Sequence, residues 1–145
     1  MQTIRDLLKR KGGEVRSIDS QATVYRAIET MAEHNVGALV VIDDGQLVGV
    51  LSERDYLRRI ELEGRQSRDT RVAQIMTTPV ACANPDQSIE ECMALMTDKR
   101  FRHLPVMEGT ELIGVISIGD LVKHLSKEQQ VEIRFLTDYI AGRVS

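Results

Sequence analysis

A chain of 145 residues with a formal net charge of −3, 42% hydrophobic and 28% charged, has room for one domain, or for two half-domains sharing a core. The acidic balance argues against a nucleic-acid partner, whose phosphates would need clustered Lys and Arg. The longest apolar run, residues 36–42, is too short for a bilayer, and MQTIRDLLKRKGG lacks the apolar centre of a secretory leader, so no membrane partner is expected and the expected compartment is cytoplasmic.

The first predicted element is a helix over residues 3–11, within an N-terminal segment 1–13. An extended piece at 15–18 follows, and then Val24, Ala27, Ile28, Met31 and Ala32 recur at helical spacing. GALVVIDDGQLVGVL sets two apolar strands around Asp44-Gly45, a hairpin signal, and a helix is expected over 54–62. Six Arg and five acids alternate from Glu53 to Arg71, which reads as a solvated, self-paired helix face. Residues 64–75 read as a linker.

The same order then returns. An extended piece at 80–83 precedes a helix carrying Ile89, Cys92, Met93 and Met96, opened after Pro85 by the capping-box pattern Ser88-x-x-Glu91. A hairpin turning at Glu108-Gly109-Thr110 leads into a helix over 119–125. A longer helix in the C-terminal segment 126–145 sets Val131, Phe135, Leu136 and Ile140 toward one side. Aromatics are only 3%, so the core is aliphatic, with Met31, Met93 and Met96 on core stripes; Cys82 and Cys92 are expected to be small buried residues.

Residues 15–60 align with 80–125 without a gap, and nine positions are identical: Val15, Met31, Leu39, Val41, Leu47, Gly49, Val50, Ser52 and Asp55 match Val80, Met96, Leu104, Val106, Leu112, Gly114, Val115, Ser117 and Asp120. An internal duplication is the organising feature. The fold class is α/β (α+β): two β-α-β-β-α repeats, 14–63 and 76–125, related by a pseudo-twofold axis, with helices added at both ends.

The most telling match is Gly49-x-x-Ser52-x-x-Asp55 with Gly114-x-x-Ser117-x-x-Asp120, each between an apolar strand and a helix. Ser at the N-cap and Asp at N3 read first as capping boxes, with Asp in place of Glu. The glycine inside a strand is unexplained by capping and suggests close approach of backbone or ligand. A second reading covers all three positions: amides and a hydroxyl at a helix start bind phosphate, and the Asp accepts hydrogen bonds from a ribose diol.

With Phe101-Arg-His-Leu-Pro-Val106, Asn35-Val-Gly-Ala-Leu-Val-Val41 and Ile75-Met-Thr77, these segments resemble a tandem pair of CBS domains, a Bateman module, and in particular the stand-alone bacterial members. The resemblance implies a non-enzymatic signal-transduction module binding adenine nucleotides (AMP, ADP or ATP, with NAD(H) or S-adenosylmethionine as further candidates) in two clefts between the repeats, so that it senses energy or redox state. It implies no catalytic cofactor and an unidentified regulated protein as partner; apolar helix faces left uncovered by two repeats suggest a homodimer, with the C-terminal helix as a contact.

Mapped by resemblance, one cleft uses Ser117 and Asp120, with Arg102 and His103 on the phosphate and adenine against Ser17, Ile18, Val36, Gly37 and Ala38. The other uses Ser52, Arg54 and Asp55, with Arg68 from the linker and adenine near Thr77, Cys82, Ala83 and Phe101. Because Arg102-His103 stands where the first copy has Gly37-Ala38, the Asp120 cleft is expected to prefer a charged phosphate, as in AMP, ADP or ATP, with NAD or S-adenosylmethionine as candidates for the Asp55 cleft.

The rival reading is a protein-interaction or inhibitor module with vestigial clefts. A nucleotide hydrolase is disfavoured, because there is no Walker-type loop and no nucleophile paired with a base. His34, His103 and His124 are too dispersed for a metal site, and His34 and His124 read as surface or helix-end residues.

Overall fold

The computed structural model describes residues 2–125 and 127–141, with backbone alone over 127–133. The first repeat forms β1 (Ser17–Ile18), α2 (Val24–His34), β2 (Ala38–Asp43), β3 (Gln46–Ser52) and α3 (Glu53–Tyr56); α1 (Ile4–Lys11) precedes it. After α3 the chain widens into a π-helical stretch, Leu57–Glu61, closed by Leu62 N–H to the Leu57 carbonyl at 3.1 Å. A 3-10 turn, Ser67–Asp69, leads to α4 (Val72–Ile75). The second repeat forms α5 (Ile89–Lys99), β4 (His103–Glu108), β5 (Glu111–Ser117) and α6 (Ile118–Lys123), and α7 (Lys127–Ile140) ends the described chain.

Both hairpins carry two-residue loops. Asp44 and Gly45 both take positive φ (49° and 77°), as a type I′ turn needs; in the second loop only the first position does, Gly109 at 61°, which fits type II′. The two hairpins share a bulge at one point, between Val41/Ile42 and between Val106/Met107.

One predicted strand is reduced. In the first repeat β1 pairs parallel with β2, and Val40 N–H reaches the Arg16 carbonyl at 3.2 Å. The position matching Val40 is Pro105, which has no N–H to give, so residues 80–83 keep only the bridge Ala83 to Val106. The sheets are therefore β1-β2-β3 and β4-β5.

Helix caps follow the side chains. Thr23 and Ser88 accept the N–H of Arg26 and Glu91, at 3.1 and 3.0 Å, at the starts of α2 and α5. The Glu91 carboxylate takes the Ser88 hydroxyl at 3.2 Å rather than the backbone N–H, so the predicted box is only half formed. Asn35 and Arg100 end the two helices at positive φ, 51° and 58°.

The two cores are wired crosswise. Ile4, Leu7 and Leu8 of α1 are buried with Ile89, Cys92, Met96, Leu104, Ile116 and Leu121 of the second repeat. Val72 and Ile75 of α4 are buried with Val24, Ala27, Met31, Leu39 and Leu51 of the first. Backbone bonds tie each inserted helix in the same way: Ile4 N–H to Gln87 O (2.9 Å) and Ile89 N–H to Gln2 O (3.2 Å) on one side, Val72 N–H to Ala22 O (2.9 Å) and Val24 N–H to Thr70 O (2.9 Å) on the other. The N-terminal helix and the end of the supposed linker are thus interior parts of the two halves.

Of the apolar face expected on α7, Phe135, Leu136 and Ile140 are exposed, as is Tyr139; Val131 lies outside the residues with described side chains. Among the described residues no helix is long and apolar enough to cross a membrane.

Candidate functional site

At both strand-to-helix junctions the capping box is complete. Ser52 N–H donates to Asp55 Oδ2 (2.9 Å) and Asp55 N–H to Ser52 Oγ (3.2 Å); Ser117 N–H donates to Asp120 Oδ2 (2.8 Å) and Asp120 N–H to Ser117 Oγ (3.1 Å). Local chemistry alone thus fixes these side chains, and each pair also lines a cleft.

The glycines of the motif have another explanation than ligand approach. A Cβ on Gly49 would lie 2.5 Å from Met76 Sδ, and one on Gly114 2.7 Å from Leu8 Cδ2. Each glycine makes room for the last apolar side chain of the inserted helix, Met76 just after α4 and Leu8 within α1.

The larger cleft, about 740 Å³, is lined by Ser52, Arg54, Asp55, Thr77 and Phe101, as the sequence suggests, and also by Glu53, Leu57, Arg58, Val80, Lys99, Arg100, Arg102 and His103. Its volume lies within the range of small-molecule sites. Three expected members are elsewhere. Ala83 is sealed in the second core. Cys82 is exposed but away from the cleft lining, its thiol 3.8 Å from the Val80 carbonyl, so it is not the buried residue expected. Arg68 lies over the Tyr25 ring, 3.9 Å from its centroid, where the cation–π contact holds it.

The smaller cleft, about 410 Å³, is lined by Ser117, Asp120, His103, Val36, Gly37 and Ala38, again as expected. Ser17 is exposed and Ile18 packs on the first core; neither lines it. Arg102 lines the larger cleft instead. Arg102 and His103 both line the larger cleft, and of the two only His103 also lines the smaller one. Sequence reasoning missed Lys11, Glu14, Arg16 and His34, all lining the smaller cleft. Their signal was weak, because Lys11 precedes the repeat, Glu14 and Arg16 lie at its very start and His34 ends a helix. His124, by contrast, is the helix-end residue expected, with Nδ1 2.8 Å from the Asp120 carbonyl.

Charge is divided unevenly. Arg54, Arg58, Lys99, Arg100 and Arg102 line the larger cleft, and among the described residues none is ion-paired; Glu53 and Asp55 are the acids beside them. The Arg-rich run is therefore only partly self-paired: Arg59 and Arg65 meet Glu63, whereas Arg54 and Arg58 turn to the cleft. In the smaller cleft Lys11 meets Asp120 at 2.6 Å and Arg16 meets Glu14 at 2.8 Å. The cations thus gather with Asp55, the reverse of the arrangement expected.

The two junctions also differ in what the carboxylate holds. Thr77 N–H bonds the Val50 carbonyl at 2.8 Å, and its hydroxyl donates to Asp55 Oδ1 at 3.2 Å. At the matching points of the second repeat the Lys11 ammonium does both, donating to the Val115 carbonyl at 2.5 Å and to Asp120 at 2.6 Å. Burial pushes the Asp120 carboxyl up, but the bonds from Lys11 and Ser117 outweigh it and hold the group below the usual range. Burial also pushes His103 down, against the pull of Asp120. Gly37 and His103 line both clefts and form their common wall. Among the described residues no group of His, Cys, Asp or Glu could hold a metal ion.

Comparison with known proteins gives the same architecture. The family model for the CBS domain matches residues 4–62 and 72–127, so its bounds take in the inserted helices. A mitochondrial CBS domain-containing protein of Arabidopsis thaliana, CBSX3, is 42% identical over 97% of this chain and 72% of its own length. YhcV of Bacillus subtilis is 33% identical over 88% of this chain and 89% of its own. A solved CBS-domain protein of Burkholderia ambifaria is 47% identical, with TM-score 0.84 over 89% of this chain and 97% of that one. A hexameric CBS-CP12 protein of bloom-forming cyanobacteria is 27% identical, with TM-score 0.77 over 91% and 74%. With two matched copies, a shared fold and relatives of similar length, the chain belongs to the CBS-domain family of regulatory and signal-transduction proteins.

Proposed function

We propose that this chain is a non-enzymatic regulatory module that binds adenine nucleotides in its two clefts. The observation that carries the reading is the pair of Ser-Asp junctions, each opening on a crevice where residues of both repeats meet. An Asp carboxylate there is suited to a ribose diol, and the Arg and Lys of the larger cleft, which pair with no acid among the described residues, are suited to phosphate. The larger cleft is then the site for the more highly charged ligand, ADP or ATP, and the smaller cleft for a ligand of lower charge. NAD(H) and S-adenosylmethionine belong in the same panel of candidates.

Thermal unfolding with each compound tests this. A ligand at a hundred times its Kd adds about 2.7 kcal/mol of stability, a rise in Tm of roughly 5 to 10 °C for a chain of this size. No shift with AMP, ADP, ATP, NAD(H) or S-adenosylmethionine overturns it and leaves the interaction-module reading. That rival draws its support from Phe135, Leu136, Tyr139 and Ile140, all exposed on α7. Those residues, with Leu57, Ile118 and Val122, also support a homodimer, since a symmetric pair covers such faces most economically. A monomer mass in light scattering at micromolar concentration removes the dimer.

A further inference from the structure

Lys11 caps the Asp120 carboxylate. Its ammonium, at the C-terminal end of α1, lies 2.6 Å from Asp120 Oδ2 and 2.5 Å from the Val115 carbonyl. The pair is partly screened from solvent, with side-chain exposures of 30% and 21%. In the other junction the same two acceptors are served by Thr77, a short side chain and a backbone N–H that leave Asp55 open to the cleft. Thr77 is fixed by the backbone, whereas Lys11 is a flexible stem that can change partners.

Resting on the nucleotide reading above, we infer that Lys11 is the specificity-determining residue of the smaller cleft, guarding Asp120 so that a phosphorylated nucleoside enters and a bare nucleoside does not. A nucleoside whose diol takes both oxygens of Asp120 displaces the ammonium from Oδ2 into a cleft that also holds Arg16 and His103, where the acid Glu14 is already paired with Arg16. A nucleotide offers the ammonium a phosphate oxygen in exchange, so one charge-assisted bond replaces another as the diol settles on the carboxylate. Arg16 is paired with Glu14 at 2.8 Å, so Lys11 is the cation of this cleft whose partner is the carboxylate that the diol takes.

The experiment is titration calorimetry of the full chain with adenosine and AMP, in an Asp55→Asn background that disables the larger cleft. The component lost on further Asp120→Ala belongs to the smaller cleft. The Lys11-containing protein is expected to bind AMP about tenfold more tightly than adenosine, and Lys11→Met to bring the two within about threefold by tightening adenosine and weakening AMP. Lys11→Arg keeps the preference, and Lys11→Gln replaces the Met variant if that one does not fold. An AMP-to-adenosine ratio that is the same with and without Lys11 overturns the inference while leaving the nucleotide reading intact. Absence of binding by any adenosine compound to the unmodified chain overturns both.

Discussion

Gly37 faces the imidazole of His103 across the line where the two clefts meet: a Cβ on Gly37 would lie 3.5 Å from His103 Cε1 and 2.8 Å from Glu53 Oε1. Whatever moves this wall moves it for both clefts. Gly37→Ala displaces only the end of the Glu53 side chain, so stability should stay within about 0.5 kcal/mol of the parent. Titrations at both clefts should weaken together; weakening at one alone would show that the wall is not shared.

Gly49→Ala and Gly114→Ala meet less yielding neighbours. On Gly49 the new methyl strikes Met76 along its length, with Cγ at 3.0 Å and Cβ at 3.3 Å; on Gly114 it strikes the buried Leu8. Each should cost about 1–3 kcal/mol by overpacking, read as a lowered midpoint in denaturant unfolding. Gly114→Ala combined with Leu8→Ala should cost less than the sum of the two single changes, because the truncated Leu8 no longer meets the new methyl.

Leu7→Ala and Ile75→Ala should each cost about 2–5 kcal/mol, since both side chains are fully enclosed. Hydrogen exchange places the damage. Leu7→Ala should loosen β4 and β5, far along the chain, more than β2 and β3, and Ile75→Ala the reverse. Loosening confined to the nearest repeat in sequence would contradict the crossed cores.

Two windows of pH should be visible. The hydroxyl and the N–H of Ser20 hold Asp43 below its ordinary value, and the N–H and hydroxyl of Thr3 do the same for Asp6. Carboxyls depressed on folding contribute stability above the unfolded value near 3.8, and it is lost as pH falls through the lower folded values. His103 is also depressed, by burial, so the folded chain resists its protonation: stability is full above 6.5 and declines as pH falls from there toward the folded value. Unfolding midpoints measured across this range should lose the upper step in His103→Asn and keep the acid step.

Thiol labelling separates the two cysteines. Cys92 is buried, and burial together with Glu91 pushes its pKa up to about 11, so the native protein at pH 8 should take one equivalent of reagent, at Cys82.

Duplication, hairpins and capped helix starts were all legible because they rest on local chemistry: Asp44-Gly45 dictates its turn, and Ser52 and Ser117 bond three residues ahead. Contacts between distant segments were not. Nothing in the spacing of Leu8 says that Gly114 awaits it, and Lys11 meets Asp120 only because α1 crosses to the far repeat. Arg102 lines the larger cleft and not the one it was expected in, because the bend before β4 that aims it is not written in the repeat spacing. The lost strand at 80–83 could have been read, since Pro105 stands where Val40 gives its N–H.

A cut in the backbone near Gln66 would leave two pieces, each carrying a helix that the other lacks. Neither piece should fold by itself, yet mixed in equal amounts they should reassemble into one particle, each completing its partner's interior.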